Sequence, residues 1–305
     1  LTCSRLAEQS PARFLRSAND NYLSGNTPQW RGWNMTVRIE KSGPVWTVIH
    51  SRAEARNAMD PVSAKALYEA FLEFESDDDA NVAVFWGEGG AFCAGWDLKH
   101  AASLDDPNPL SDFAIPADGG DHGNGADIPM GAMGPSRLDL DKPVIAAIAG
   151  PAVAGGMELA LWCDFRVMEQ SAYLGVYCRR WGIPLIDGGT VRLPRLVGEG
   201  RALELILTGR QVMAEECERL GLCEYVVPEG HSRQKAEELA HQIASFPQLC
   251  ARADRRSARK QHGLSLRDAL TQEWHNSQHV LKAEGISGAG RFSSGEGRHG
   301  AFDDS

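Results

Sequence analysis

Six short runs of the chain are rich in β-branched and aromatic residues and are bounded by turn-forming residues, a pattern typical of β-strands. The first two flank Ser42 and Gly43, which predicts a tight turn between them. Each of the other four has a glycine, proline or aspartate at one end. The predicted strands are residues 35–40, 44–50, 81–86, 143–149, 165–168 and 224–227.

Apolar residues at helical spacing alternate with these strands and continue after the last one. Asp60 and Pro61 place an N-cap acceptor directly before a proline at the first helical position. Gly221 is a stop signal for a helix that precedes it. The predicted helices are residues 61–75, 200–207, 213–220, 232–245, 247–261 and 265–284. This order predicts an α/β fold up to about residue 230, followed by a helical C-terminal segment.

Three segments lack either periodicity. Residues 1–34 have no apolar signal-peptide core, hold four arginines and end just before Met35, so they are either a mistaken start or a transit-like or disordered extension outside the core. Residues 99–141 are rich in glycine, proline and aspartate, and a loop of this length is functional, such as a lid, or disordered. The Gly/Ser-rich tail from Gly285 is predicted to be irregular.

One apolar stretch, residues 143–163, is long enough to span a membrane, but it contains two prolines, three glycines and Glu158. A buried strand, a turn and a buried helix explain it better. The net charge of -10 argues against a nucleic-acid partner, although a local basic pocket for one anionic cofactor is allowed. Seven cysteines without a CxxC pair indicate reduced thiols in a cytosol-like compartment and no zinc site.

Candidate chemistry lies where glycines follow two strands, in AFCAGWDLK (residues 91–99) and GPAVAGGMELAL (residues 150–161). Glycines at such turns let the backbone approach a ligand and direct N–H groups at an anion. Glu158 lies in the first turn of the helix that the second segment begins. It either complements the helix dipole or acts as a general acid/base whose pKa an apolar pocket raises.

These two segments and three others resemble, in the same order along the chain, the signatures of the crotonase superfamily, the enoyl-CoA hydratase/isomerase family. The three others are RAEARNA, GGTVRLPRLVG and LTGRQVMAEECERLGLCEYVVP. The resemblance covers about residues 35–230. It implies a crotonase-like spiral of repeated ββα units and a helical segment, residues 231–305, that assembles homotrimers or dimers of trimers. It also implies an acyl-CoA thioester substrate, no metal and no separate cofactor, since CoA enters as part of the substrate.

The family resemblance assigns roles to particular residues. Backbone N–H groups of Trp96 and Gly155 would form an oxyanion hole for the thioester carbonyl, and Glu158 matches one of two catalytic glutamates in a GGxE arrangement. The residues that would contact CoA or substrate are Ala55, Arg56, Ala94, Asp97 and Leu98.

Three positions either differ from the family pattern or have more than one possible role. Cys178 occupies the place of the second catalytic glutamate, as aligned on the glycines that follow it, and is either a poorer proton carrier or an inert core residue. Asp187 is the nearest replacement, and it either takes part in catalysis or caps the next helix. Trp96 is larger than the usual residue at an oxyanion position, but the donor is its backbone.

The sequence therefore favours an enoyl-CoA hydratase that uses Glu158. Double-bond isomerisation is the alternative, because one carboxylate can move a proton between two carbons. A CoA- or RNA-binding member with little catalysis is a third possibility. The expected location is the cytoplasm, or the mitochondrial matrix if residues 1–34 are a transit segment.

Overall fold

A computed structural model of the chain describes residues 36–105, 111–115 and 128–295. The predicted N-terminal extension, residues 1–34, and parts of the predicted loop at 99–141 lie outside the described residues. No described helix is long and apolar enough to cross a membrane. Residues 143–163 instead form the predicted buried strand and helix, with a second short strand, Pro151–Val153, where only a turn was predicted.

Two sheets organise the described part of the chain. The strands are β1 (Val37–Ser42), β2 (Val45–His50), β3 (Val82–Gly87), β4 (Val144–Ile148), β5 (Pro151–Val153), β6 (Phe165–Glu169), β7 (Tyr173–Gly175), β8 (Gln211–Met213) and β9 (Tyr225–Val227). The larger sheet has six strands in the order β1-β2-β3-β4-β6-β9, and all neighbours are parallel except β1 and β2. The smaller sheet has the order β5-β7-β8.

Helices cover the large sheet and extend the chain beyond it, which confirms the predicted α/β class. Asp60 accepts from the amide of Ser63 and so caps the first helix, as predicted. The helices are α1 (Pro61–Ser76), α2 (Leu98–Ala101), α3 (Gly155–Trp162), α4 (Gly189–Val197), α5 (Glu199–Thr208), α6 (Ala214–Leu220), α7 (Ser232–Ala244), α8 (Gln248–Lys260), α9 (Leu266–Val280) and α10 (Ile286–Ser294).

Alternate residues of the central strands pack into two hydrophobic clusters on opposite faces of the large sheet. In β3, Phe85 faces the cluster that contains Phe71 of α1, and Val84 faces the cluster that contains Leu239 of α7. Helix α7 therefore belongs to the core, although the sequence placed it in the C-terminal segment that begins at residue 231.

The predicted irregular tail is wrong as far as Ser294, because α10 continues from α9 through a π-helical turn, Leu281–Gly285. A helix that extends an existing one needs no new nucleus, which offsets the cost of its glycines. The carboxylate of Glu284 also accepts hydrogen bonds from the amides of Leu249 and Cys250, which ties this turn to the start of α8.

Candidate active site

The first glycine segment pairs with Met59 through an isolated parallel bridge at Trp96. The Met59 amide donates to the Gly95 carbonyl at 2.7 Å, and the Asp97 amide donates to the Met59 carbonyl at 2.8 Å. In a parallel bridge the hydrogen bonds run to the residues on either side of the bridging one, here Gly95 and Asp97, so the N–H group of Trp96 points away from Met59.

The second glycine segment lies on that other side. The Val153 amide donates to the Cys93 carbonyl at 3.0 Å, and Gly155 then begins α3, so its N–H group has no partner within the helix. Ala154 before it has a φ of 53° and a ψ of -124°, a strained conformation for a residue with a Cβ. This strained residue makes the sharp bend from β5 into α3.

The two segments approach so closely that glycine is required at the contact. A Cβ on Gly95, whose φ is +90°, would lie 2.8 Å from the Cβ of Ala154 and 3.1 Å from the amide nitrogen of Gly155. A Cβ on Gly156 would overlap the carbonyl oxygen of Cys93. The sequence predicted that these glycines let the backbone approach a ligand, and in the structure they let the two segments approach each other.

Both segments line one cavity of about 190 Å³ with mostly apolar walls. The predicted site residues that the structure brings together here are Ala94, Trp96, Leu98, Gly155, Glu158, Cys178 and Asp187. Ala55, Arg56 and Asp97 do not line it. The Asp97 carboxylate caps α2 and pairs with Arg52 at 2.7 Å, and Arg56 is exposed with its carbonyl bound by the amide of Ala94.

Glu158 presents a buried carboxyl group to this cavity. Its side chain is 3% exposed, and its Oε1 accepts hydrogen bonds from the amides of Asp187 at 2.9 Å and Gly189 at 2.8 Å. Burial raises the pKa of Glu158 to about 7, and the negative charge of Asp187 acts in the same direction. A carboxyl group with this pKa exists in both protonation states near neutral pH, which is what proton transfer requires.

Asp187 is buried and does not cap α4, so the N-cap interpretation is wrong. The N-cap residue is Gly188, and Oδ1 of Asp187 accepts hydrogen bonds from the amide of Met133 and the hydroxyl of Ser136. These bonds attach the described end of the predicted long loop to the wall of the cavity. That described end of the loop therefore forms part of the site.

Cys178 is buried at the cavity wall, in a 3-10 helix. Burial raises the pKa of its thiol, and the charge of Glu158 adds to the effect. The thiol is therefore protonated at neutral pH and differs from the ionisable carboxylate that the family resemblance expects there. All six described cysteines are free.

A sequence model described as enoyl-CoA hydratase/isomerase matches residues 40–113 and 136–304. The chain belongs to this family. An enoyl-CoA hydratase of Mycobacterium tuberculosis is 34% identical over 229 residues, which are 73% of this chain and 79% of that protein. A carnitinyl-CoA dehydratase of Salmonella typhi is 37% identical over 220 residues, which are 72% and 78% of the two proteins.

Solved structures agree with this assignment. The crystal structure of an enoyl-CoA hydratase from Bacillus anthracis is 30% identical, with a TM-score of 0.75 over 85% of this chain and 96% of that chain. An enoyl-CoA hydratase from Mycobacterium marinum has a TM-score of 0.74 at 27% identity over the same shares of the two chains. The predicted crotonase-like fold is confirmed.

Two site residues of this enoyl-CoA hydratase/isomerase family member were missed by sequence reasoning. Ser136 lies in a segment without periodicity, and its bond to Asp187 spans 51 residues, so no local signal indicates it. Arg192 donates to the carbonyl oxygens of Asp187 and Ser136 at 2.9 and 2.7 Å and so joins the same two segments. Its position in an otherwise ordinary amphipathic helix resembles that of a surface charge.

Proposed function

We propose that this protein adds water reversibly to the double bond of a 2-enoyl-CoA, with Glu158 as the acid/base. The observation that carries the proposal is the position of the Glu158 carboxyl group. It is buried, has a pKa of about 7 and lines the same apolar cavity as Trp96 and Gly155.

The amides of Trp96 and Gly155 are proposed to form the oxyanion hole. Attack on a 2-enoyl thioester moves negative charge onto the thioester oxygen, and donors aimed at that oxygen stabilise the transition state. The loss of one such donor typically costs about 3–4 kcal/mol of barrier. The start of α3 also places the positive end of a helix dipole at Gly155.

Glu158 would complete the reaction by itself. Its carboxylate takes one proton from water while the water oxygen bonds to the β-carbon, and the double-bond electrons form the enolate. The enolate α-carbon then takes the proton from the carboxylic acid, which restores the carboxylate. The sum is one water added, and dehydration is the reverse sequence of steps.

Isomerisation is the second candidate, and Cys178 favours it. A protonated thiol in place of a second carboxylate leaves one base, which is sufficient to move a proton from the α-carbon to the γ-carbon of a 3-enoyl-CoA. The names of the relatives, a hydratase and a dehydratase, support the water reaction instead. We therefore rank hydration first.

CoA enters this reaction as part of the substrate, and we propose no further cofactor. We also propose a homotrimer or a dimer of trimers assembled through the C-terminal helices. Large apolar side chains are exposed on α9 and α10, which suits a contact between copies. They are Leu266, Leu270, Trp274, Ile286 and Phe292.

An absorbance assay separates the two reactions. We expect the protein to consume the conjugated enoyl absorbance of crotonyl-CoA, because water addition removes the double bond. We expect no appearance of that absorbance from a 3-enoyl-CoA. The opposite pair of results would establish isomerisation, and inactivity on both would contradict the proposed function.

The pH dependence of kcat/KM should follow the ionisation of the Glu158 carboxyl group. The proposed base must be ionised in the free enzyme, so kcat/KM falls about tenfold per unit as the pH drops below about 7 and is level above it. Steady-state rates with crotonyl-CoA between pH 5.5 and 9 measure this. A midpoint near 4.5, the ordinary value for glutamate, would contradict the assignment.

Asp187→Asn tests whether the charge of Asp187 helps to raise the pKa of Glu158. The amide keeps an oxygen that can accept from Met133 and Ser136, but it removes the negative charge that helps to raise the pKa of Glu158. The midpoint should therefore move to lower pH. Asp78→Asn changes an exposed aspartate far along the sequence from both loops and should leave the midpoint unchanged.

A further inference from the structure

A second cavity of about 590 Å³ shares a wall with the first, because Ile186 and Asp187 line both. Helix α4 contributes Arg192 and Arg195 to it, and the end of α8 contributes Arg259. The proposed reaction uses none of these three side chains.

The charge of this second cavity is opposite to that of the chain as a whole. Six arginine and lysine side chains line it against three aspartates, in a protein with a net charge of -10. The six are Arg137, Arg166, Arg192, Arg195, Arg259 and Lys260. Two of the aspartates are already engaged, Asp164 with Arg255 and Arg259, and Asp187 with Met133 and Ser136.

Arg192 shows that positive charge is incompletely neutralised here. Its half-buried guanidinium donates to the carbonyl oxygens of Asp187 and Ser136, and to no carboxylate among the described residues. Burial and the positive charge of Arg259 lower the pKa of Arg192 to about 10. The carboxylates of Glu158 and Asp187 act on Arg192 in the opposite direction, and Arg259 keeps an ion pair with Asp164 at 3.0 Å. An anion between the two guanidinium groups would reduce their remaining repulsion.

Arg195 lies about one turn after Arg192 on α4 and is exposed. Within residues 36–105, 111–115 and 128–295, its side chain has no ion pair or hydrogen bond. It lines the same cavity and is therefore free to reach an anion there.

We propose that this second cavity binds a small multivalent oxyanion, a phosphate or a tricarboxylate, through Arg192, Arg195 and Arg259. The planar guanidinium group pairs with two oxygens of a phosphate or carboxylate at once, which favours these anions over a halide. The cavity is also large enough for such an ion with bound water.

Isothermal titration calorimetry of the full chain tests this site. Inorganic phosphate and citrate are titrated separately at constant ionic strength set with sodium chloride, with and without saturating CoA. We expect at least one of them to bind with an affinity that CoA does not change, and the two arms identify which anion class is preferred. Because the measurement follows binding and not turnover, its outcome is independent of the proposed function.

Arg195→Ala is the informative variant, since its exposed side chain has no partner among the described residues and is dispensable for folding. We expect it to weaken anion binding about tenfold, in line with the loss of one charged hydrogen-bonding group. Arg219→Ala, which removes an exposed arginine of α6 outside the cavity, should not weaken it. No binding to the unmodified protein, equal binding by the two variants, or displacement by CoA would each overturn the proposal.

Discussion

Glu158→Gln is expected to lower kcat for crotonyl-CoA by about 10³-fold, within the usual range for the loss of a positioned acid/base. The amide oxygen can still accept from the amides of Asp187 and Gly189, so the side chain keeps its position. It cannot take a proton from water or return one to carbon. The KM should change little, because the cavity keeps its shape, and steady-state kinetics at pH 8 measure both constants.

The same substitution should stabilise the fold, which excludes unfolding as the cause of lost activity. The pKa of Glu158 is about 7 in the folded protein against an ordinary value of 4.5, so the folded state disfavours the ionised form. This acid therefore destabilises the protein by roughly 3 kcal/mol above pH 7, and the effect disappears as the pH falls toward 4.5. Urea unfolding at pH 8 and pH 5 should show a gain for Glu158→Gln that is larger at pH 8. Full activity in this variant would remove Glu158 from the mechanism.

The parts of the site that depend on local backbone chemistry could be predicted from the sequence. Glycine is the one residue without a Cβ, so glycines between a strand and the helix that follows it indicate a close backbone approach before its partner is known. The strand order could not be read in the same way, although the run of β-branched and aromatic residues at 81–86 predicted a strand, which the structure has at Val82–Gly87. Gly95 and Gly156 do lie at close backbone approaches, each against the opposite glycine segment.

The parts that depend on distant contacts could not be predicted. A carboxylate at the start of a helix indicates an N-cap, and only the folded chain brings Ser136 to Asp187 from 51 residues away. The sequence could predict that the pKa of Glu158 is raised, because its neighbours in the chain are apolar. It could not predict that Asp187 contributes to this rise. The prediction of an irregular tail after Gly285 was wrong for a related reason. The composition of the tail does not show that a preceding helix continues into it.

Among substitutions that add one methyl group to the described site, Gly156→Ala should cause the largest loss of stability and activity. The new Cβ would overlap the carbonyl oxygen of Cys93, a backbone atom that no rotamer change can move. Relief requires separating the start of α3 from the segment at residues 91–97, and these carry the two proposed oxyanion donors. We expect a loss of about 3 kcal/mol in unfolding free energy, and at least about 10²-fold in kcat for the fraction that folds.

Two glycine variants distinguish this backbone clash from a general effect of added bulk. In Gly155→Ala the new methyl group meets the side chain of Met133, whose flexible end can move aside, so its loss of stability should be smaller. Gly200→Ala adds a methyl group in α5 where no neighbouring atom of the described residues lies within 4 Å, and it should raise stability by up to about 1 kcal/mol without changing kcat. Chemical denaturation and crotonyl-CoA kinetics on all three variants make the comparison. If Gly156→Ala retained full activity and stability, the two segments could not be held together at this contact, and the proposed oxyanion hole would lose its structural basis.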